Sequence, residues 1–269
     1  MWSGFYVALA FILLHYFDNF ITSFCARLLG YKASFNYHAI TAVVATESPW
    51  TLKRVAFIYL TSPLLLAATG FGLLIFLRTT YSISHFSLII FWFSFVAYVL
   101  FYSYFLIGLV GAGNYHSPFY IGFATFFAWL GFGKISTAAA LIAGSVFWAL
   151  PVFFYVRPAL RFIPDSAWLK NKNGKLKYFV NVILFPMLFG IVLLTAITYP
   201  MALHFHFFGF LAASVLALVF FLFLIRERKS RTLLTTPGGI GNVPMLVLVI
   251  PAAALYLFTK YLLSITIAF

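Results

Sequence analysis

The first apolar segment of the chain contains a stripe of polar residues that could do chemistry. Asp18 follows His15 by three residues, and Asn19 and Thr22 continue the stripe toward the end of the segment. Residues three and four apart share one face of a helix. Ionisable side chains are costly inside a membrane span and usually functional there, and His and carboxylate groups bind zinc or iron. The stripe is therefore the first candidate for a functional site.

The composition identifies the kind of element that must position these side chains. Of the 269 residues, 64% are hydrophobic and only 8% are charged, whereas soluble domains have about 25% charged residues. This excludes a soluble domain, a disordered chain and a soluble nucleic-acid binder, despite the net charge of +13. The single cysteine, Cys25, excludes an intrachain disulfide and a Cys-based zinc site. The sequence thus predicts an all-α, polytopic integral membrane protein that forms one membrane domain over residues 1–269.

The apolar segments predict about eight membrane spans. A helix needs about 20 apolar residues to cross the hydrocarbon core of a bilayer, and continuous apolar runs without period-2 alternation disfavour transmembrane strands. The fourth segment is the shortest and is bounded by glycines. The predicted spans are 4–29, 54–77, 86–110, 118–132, 136–156, 178–200, 204–225 and 243–267.

The basic residues predict an orientation for these eight spans. If both termini lie outside, 14 of the 17 Lys and Arg residues fall at the inner ends of spans, as the positive-inside rule requires. We expect a bacterial inner membrane with the basic loops in the cytoplasm. The basic run near the end of the seventh span is explained by topology; an alternative is contact with anionic lipids through Arg226, Arg228, Lys229 and Arg231.

The end of the first span resembles the first membrane helix of site-2-type intramembrane zinc metalloproteases. Those enzymes carry His-Glu-x-x-His and then an Ala-Arg-Leu-Leu-Gly-like exit with a basic residue beyond it. Residues 26–32 read Ala-Arg-Leu-Leu-Gly-Tyr-Lys. Counting back from this frame places Asp18 at the first His, Asn19 at the Glu and Thr22 at the second His.

Two later stretches are also similar to this family, and the resemblance covers about the first 125 residues. Residues 51–64, which include Ser62 and Pro63, resemble the start of the family's second span, where an Ala-Gly-Pro step lies inside the helix. Residues 114–122 are weakly similar to the Asn…Pro…Asp-Gly motif that supplies the third zinc ligand. Ile121 or Tyr120 occupies the Asp position. Residues 126–269 form additional helices.

The resemblance implies that the proteolytic chemistry has been lost. In the family motif the two histidines hold zinc and the Glu takes a proton from the zinc-bound water. Asn19 has no titratable group, Thr22 is a poor zinc ligand, and Ile121 has no donor atom. We therefore expect a proteolytically inactive protein without a cofactor, which acts as a scaffold or accessory subunit. Its expected partners are the lipid bilayer and another membrane protein.

Two alternatives come from the same polar residues. A rearranged metal site of His15, Asp18 and His116, with zinc as the metal, would make the protein a metal-dependent membrane enzyme. Spans that contain proline and glycine, such as those at Pro63 and Gly70, can line a cavity, as they do in transporters of small solutes or lipids.

Overall fold

A computed structural model describes residues 2–36, 40–43, 50–79, 85–112, 121–162, 171–198, 203–226, 246–262 and 265–269. Six helical segments in this part of the chain are long and apolar enough to cross a membrane: Ser3–Leu28, Leu52–Thr79, His85–Gly111, Lys134–Leu160, Lys172–Ala196 and Phe207–Arg226. The prediction of a mainly helical protein with several membrane-length helices is confirmed.

Ten α-helices and three strands follow one another along the described residues. The helices are α1 Trp2–Leu28, α2 Leu52–Thr79, α3 His85–Gly111, α4 Phe123–Trp129, α5 Lys134–Ala149, α6 Phe153–Leu160, α7 Lys172–Tyr178, α8 Phe185–Thr198, α9 Leu203–Arg226 and α10 Leu246–Leu257. A 3₁₀ turn over Leu150–Val152 joins α5 to α6, a π-helical turn over Phe179–Leu184 joins α7 to α8, and a second π-helical turn over Phe258–Leu262 extends α10. The strands are β1 Lys32–Phe35, β2 Ile40–Val43 and β3 Ile267–Ala268.

Helix α3 lies at the centre of the bundle and packs against α1, α2, α5 and α9. Its sequence is apolar on every side, which is typical of a helix that is buried all round. Large side chains such as Trp92, Phe95, Tyr98 and Phe101 are almost fully buried along it. Helix α3 is therefore the common packing partner of these four neighbouring helices.

Glycines permit the closest helix contacts. A Cβ atom added at Gly190 of α8 would lie 2.6 Å from the carbonyl oxygen of Gly4 and 2.6 Å from Cβ of Val7, both in α1. At Gly70 of α2, an added Cβ would lie 3.1 Å from the Ser94 carbonyl oxygen in α3. The backbones of α1 and α8, and of α2 and α3, therefore approach each other where no side chain intervenes.

A small antiparallel sheet, which the sequence did not predict, lies beside the end of α1. Its strand order is β2-β1-β3, with Ala33 opposite Ala42 and Phe35 opposite Ile267. The Phe269 ring packs on Phe35 and Phe20, with centroid distances of 5.7 and 5.8 Å. Residue 269 thus lies beside the second half of α1, whereas residue 2 lies at its other end.

The structure departs from the eight-span prediction at its fourth segment, 118–132. The described part of that segment contains only α4, a helix of seven residues, which is about 10 Å long and cannot cross a bilayer. Gly122 and Gly131 flank it with positive φ angles of 59° and 86°, a conformation that glycine adopts readily. The chain therefore turns at α4 instead of crossing.

This turn reverses the direction of every later helix relative to the prediction. The α5–α6 segment starts near α4. Along it, the carbonyl oxygen of Trp148 accepts a hydrogen bond from the Tyr98 hydroxyl of α3. Just beyond its end, the Arg161 guanidinium donates to the carbonyl oxygen of Leu77 at 2.5 Å. Lys175 donates to the carbonyl oxygen of Ile225 at 3.1 Å, which brings the start of α7 beside the end of α9. We call the end of the bundle formed by Leu77, Arg78, Arg161, Lys175 and Arg226 the basic end.

The opposite end holds the sheet, Arg27 and the start of α2, and we call it the sheet end. The prediction placed the basic residues around 27–54, 157–177 and 226–231 on one side of the membrane. In the structure Arg27 and Arg54 lie at the sheet end, whereas Arg161 and Arg226 lie at the basic end. Within the described residues, residues 2 and 269 lie toward opposite ends of α1.

Candidate functional site

A cavity of about 350 Å³ lies between the sheet and the helices of the sheet end. Its polar lining comes from Asp18, Asn19 and Thr22 of α1, Tyr59 of α2 and Tyr104 of α3. We call it the Asp18 pocket. It combines a buried acid with neutral hydrogen-bonding groups inside a membrane-length bundle, which makes it the best candidate for a functional site.

Asp18 sits where three helices meet. Its side chain is 3% exposed, and the Tyr104 hydroxyl lies 2.6 Å from one carboxylate oxygen and 2.8 Å from the other. The Ser62 hydroxyl donates a short hydrogen bond to the same carboxylate. Hydroxyl donors stabilise a buried carboxylate without neutralising its charge. The acid is therefore held in place by α2 and α3, and its partners are neutral.

Asn19 and Thr22 use their side chains to hold structure together. The Asn19 amide donates to the carbonyl oxygen of Asn36 at 3.0 Å, which ties α1 to the end of β1. The Thr22 hydroxyl donates to the carbonyl oxygen of Asp18 at 3.0 Å, one turn earlier in its own helix. Neither group can accept a proton from a bound water at neutral pH, so neither supplies a general base.

Aromatic side chains form the wall of the pocket beside the sheet. Tyr31 and Trp50 stack with ring centroids 5.2 Å apart and an interplanar angle of 18°. The ring centroids of Trp50 and Tyr59 are 6.5 Å apart, with an interplanar angle of 28°. Ile40 of β2 also lines the pocket and is partly exposed. We call Tyr31, Trp50 and Tyr59 the aromatic wall.

The structure brings together the four positions that the sequence matched to the protease motif. Asp18, Asn19, Thr22 and Ile121 all line the Asp18 pocket, although Ile121 is far from the others in the sequence. Ile121 is positioned by the turn at Gly122, which precedes α4. The four positions that the resemblance selected in the sequence thus line one pocket.

The alternative metal set of His15, Asp18 and His116 is not assembled within the described residues. His15 is buried in α1, but it does not belong to the lining of the Asp18 pocket, and His116 lies outside the described residues. Across the described ranges, no three His, Cys, Asp or Glu side chains are grouped so that they could hold a metal ion.

Of the predicted anionic-lipid residues, the structure describes one, Arg226. Arg226 is exposed at the last residue of α9, and Arg228, Lys229 and Arg231 lie outside the described residues.

Ser62 and Tyr104, which hold Asp18, were missed as site residues. Ser62 lies in the stretch that resembles the family's second span, whereas Tyr104 is one of many aromatic residues in α3 and carries no signal in the sequence.

Comparison with known proteins adds no relative, because no protein-family model, curated protein or solved structure matches this chain.

Proposed function

We propose that this chain is a proteolytically inactive, site-2-protease-like membrane protein that acts as a scaffold or accessory subunit of a membrane complex. The observation that carries the proposal is the convergence of Asp18, Asn19, Thr22 and Ile121 on one pocket. These are the positions that the resemblance assigns to the two metal-binding histidines, the general base and the third ligand. Because the four residues line one pocket, they support the match of these positions to the protease motif. Their side-chain chemistry supports the proposed loss of proteolytic activity.

Each substitution removes one part of the hydrolytic mechanism. Zinc hydrolysis needs three protein ligands, an open position for water and a base to deprotonate that water. Asp18 is the one matched position that retains a metal-binding group. Its oxygens accept hydrogen bonds from Tyr104 and Ser62, and the Asn19 amide is bonded to the sheet. Among the described residues, the pocket has no complete set of groups for zinc hydrolysis, which supports a role in binding.

The membrane orientation that we propose follows from the charge at the two ends. Arg78, Arg161, Lys175 and Arg226 lie at the basic end, and the sequence adds Lys170 just before α7 and Arg228, Lys229 and Arg231 just after α9. The positive-inside rule then favours the cytoplasm for the basic end. In a bacterial inner membrane, the sheet end and the Asp18 pocket would face the outside.

Restoring the motif tests the assignment of the pocket. We expect the purified wild-type protein to hold no stoichiometric zinc. The variant Asp18→His, Asn19→Glu, Thr22→His, Ile121→Asp should bind close to one zinc ion per chain by elemental analysis. The same protein without Thr22→His and Ile121→Asp serves as its control and should bind zinc much more weakly, because it has lost two of the three ligands.

Two results would overturn the proposal. Stoichiometric zinc in the wild type that disappears in Asp18→Ala would instead favour a metal-dependent enzyme with a rearranged site. A restored variant that folds but does not bind zinc would show that the four positions do not form a metal-site frame. Circular dichroism and size-exclusion chromatography of each variant establish that it is folded.

A further inference from the structure

We infer that the Asp18 pocket binds a small organic cation, whose ammonium group pairs with the Asp18 carboxylate and packs against the aromatic wall. The inference rests on the proposed function in one respect: the pocket must be a binding site and not a zinc site. It adds the chemical class of the ligand.

The described lining of the Asp18 pocket contains no positive side chain to balance the Asp18 carboxylate. Asp18 is the one acidic residue in the part of the chain that the structure describes, since Glu47, Asp165 and Glu227 lie outside it. No Lys, Arg or His from the described residues lines the pocket. A buried carboxylate is unfavourable unless it is paired with a cation as well as hydrogen-bonded. A cationic ligand would supply the positive charge that is absent from the described lining residues.

The Asp18 carboxylate can accept more hydrogen bonds than Tyr104 and Ser62 donate to it. Its two oxygens offer about four acceptor sites. Tyr104 and Ser62 supply one hydroxyl hydrogen each, so acceptor capacity is left for a ligand. The two hydroxyls also fix the orientation of the carboxylate. The acid is thus preorganised to receive a positive group without rearrangement.

The aromatic wall contributes rings that can contact a positive group in the pocket. The electron-rich faces of Trp and Tyr attract ammonium groups, and several such rings around one position are the usual recognition element for quaternary ammonium ions. Trp50 and Tyr59 line the same cavity as Asp18 and are only partly buried. A cavity lined by both an acid and aromatic rings favours a cation over an anion or an uncharged solute.

Size limits the ligand further. A cavity of about 350 Å³ is at the lower end of the range for small-molecule sites. Asp18 lies ten residues before the end of α1, which is about 15 Å into the bundle from the sheet end. The ligand is therefore compact, and two sources share the required chemistry: a free ammonium compound and the ammonium headgroup of a lipid.

The test measures binding of choline to the full-length protein in maltoside detergent by isothermal titration calorimetry. The matched control ligand is 3,3-dimethyl-1-butanol, which has the shape of choline without its charge. We expect choline to bind at least about tenfold more tightly than this isostere. Asp18→Asn should weaken choline binding by about tenfold or more, which corresponds to about 1.4 kcal/mol for one lost ion pair.

A second pair of variants tests the aromatic wall and does not depend on the folding of an Asp18 variant. Trp50→Leu should weaken choline binding about three- to tenfold, as expected for the loss of a cation–π contact. Trp129→Leu is the matched control, because Trp129 lies in α4 outside the pocket lining and is 45% exposed. It should leave choline binding unchanged.

The source of the ammonium group is resolved in nanodiscs. If phosphatidylcholine bilayers prevent choline binding and phosphatidylglycerol bilayers do not, the ligand is a lipid headgroup. Equal choline binding in both bilayers identifies a free cation.

Equal affinity for choline and its isostere, or choline binding that Asp18→Asn leaves unchanged, would overturn the inference. If choline binding fails in this way and the wild type holds no zinc, the cation inference is wrong and the proposed function stands. Zinc held by Asp18 would overturn the proposed function as well.

Discussion

The Tyr104 hydroxyl lies 2.6 and 2.8 Å from the two carboxylate oxygens of Asp18, across 86 residues of sequence. This contact joins the last third of α3 to α1 inside the bundle. Ser62 reaches the same carboxylate from α2. One acidic side chain therefore links three helices at the point where the pocket opens between them, so the stability of the bundle and the shape of the pocket depend on the same contacts.

Tyr104→Phe is expected to destabilise the protein by about 1–3 kcal/mol. The substitution keeps the ring packed but removes a donor to a buried carboxylate, and the loss of one partner leaves the other with an unsatisfied buried group. The measurement is the midpoint of unfolding in a titration of dodecyl maltoside micelles with sodium dodecyl sulfate.

Tyr59→Phe provides the control for this substitution. Tyr59 lines the same pocket, but the structure shows no hydrogen bond from its hydroxyl to another described residue. We expect a change within about 0.5 kcal/mol, as for substitutions away from buried polar networks. Equal effects of Tyr59→Phe and Tyr104→Phe would contradict the role given to the Asp18–Tyr104 hydrogen bond.

Gly190→Ala is expected to loosen the packing of α1 against α8. Its methyl group would meet the Gly4 carbonyl oxygen and Val7 at 2.6 Å, and overpacking of this kind costs about 1–3 kcal/mol. Gly72→Ala is the matched control, since a Cβ at Gly72 has nothing within 4 Å and alanine is the better helix former by up to about 1 kcal/mol. Unfolding midpoints should fall for Gly190→Ala and stay or rise for Gly72→Ala.

The first three helices could be predicted from the sequence because each is a long, uninterrupted apolar run. The predicted spans 4–29, 54–77 and 86–110 correspond to α1, α2 and α3 within a few residues. Apolar length sets these elements, and the positions of their ends follow from the flanking polar residues. The convergence of Asp18, Asn19 and Thr22 on one pocket also follows from helical spacing in α1.

The direction of the later helices could not be predicted in the same way. The residues of α4 are as apolar as those of a true span, and composition does not distinguish a crossing helix from a short one between two turns. One misassigned span reverses the direction of all that follow it. The partnership of Asp18 with Tyr104 depends on how α1 and α3 pack, and that information is not local to either helix.

Arg161→Ala is expected to weaken the junction between α2 and α6. The Arg161 guanidinium donates to the carbonyl oxygens of Leu77 at 2.5 Å and Arg78 at 3.2 Å, near the end of α2, where carbonyl groups have no partner within the helix. Hydrogen bonds from a charged group contribute about 1.5–3 kcal/mol each, and partial exposure reduces the expected loss to about 1–2 kcal/mol. The readout is the unfolding midpoint.

Lys172→Ala should change the same midpoint by less than about 0.5 kcal/mol, because Lys172 is exposed at the first residue of α7 and exposed charges contribute little. Arg161→Lys should be intermediate, since lysine keeps the charge but cannot bridge two carbonyls with a planar fork. A midpoint that is as low for Lys172→Ala as for Arg161→Ala would indicate a general charge effect at the basic end.

The proposed orientation predicts which cysteines a membrane-impermeant maleimide reaches in intact cells. In a Cys25→Ala background, Lys53→Cys at the sheet end should be labelled without permeabilisation, and Lys172→Cys at the basic end only after it. Both lysines are exposed, so accessibility within the protein does not bias the comparison. The physical reason is that moving the basic stretches beyond α6 and α9 across the membrane during insertion is unfavourable. The reverse labelling pattern would place the Asp18 pocket on the cytoplasmic side, as in the proteases that the first span resembles.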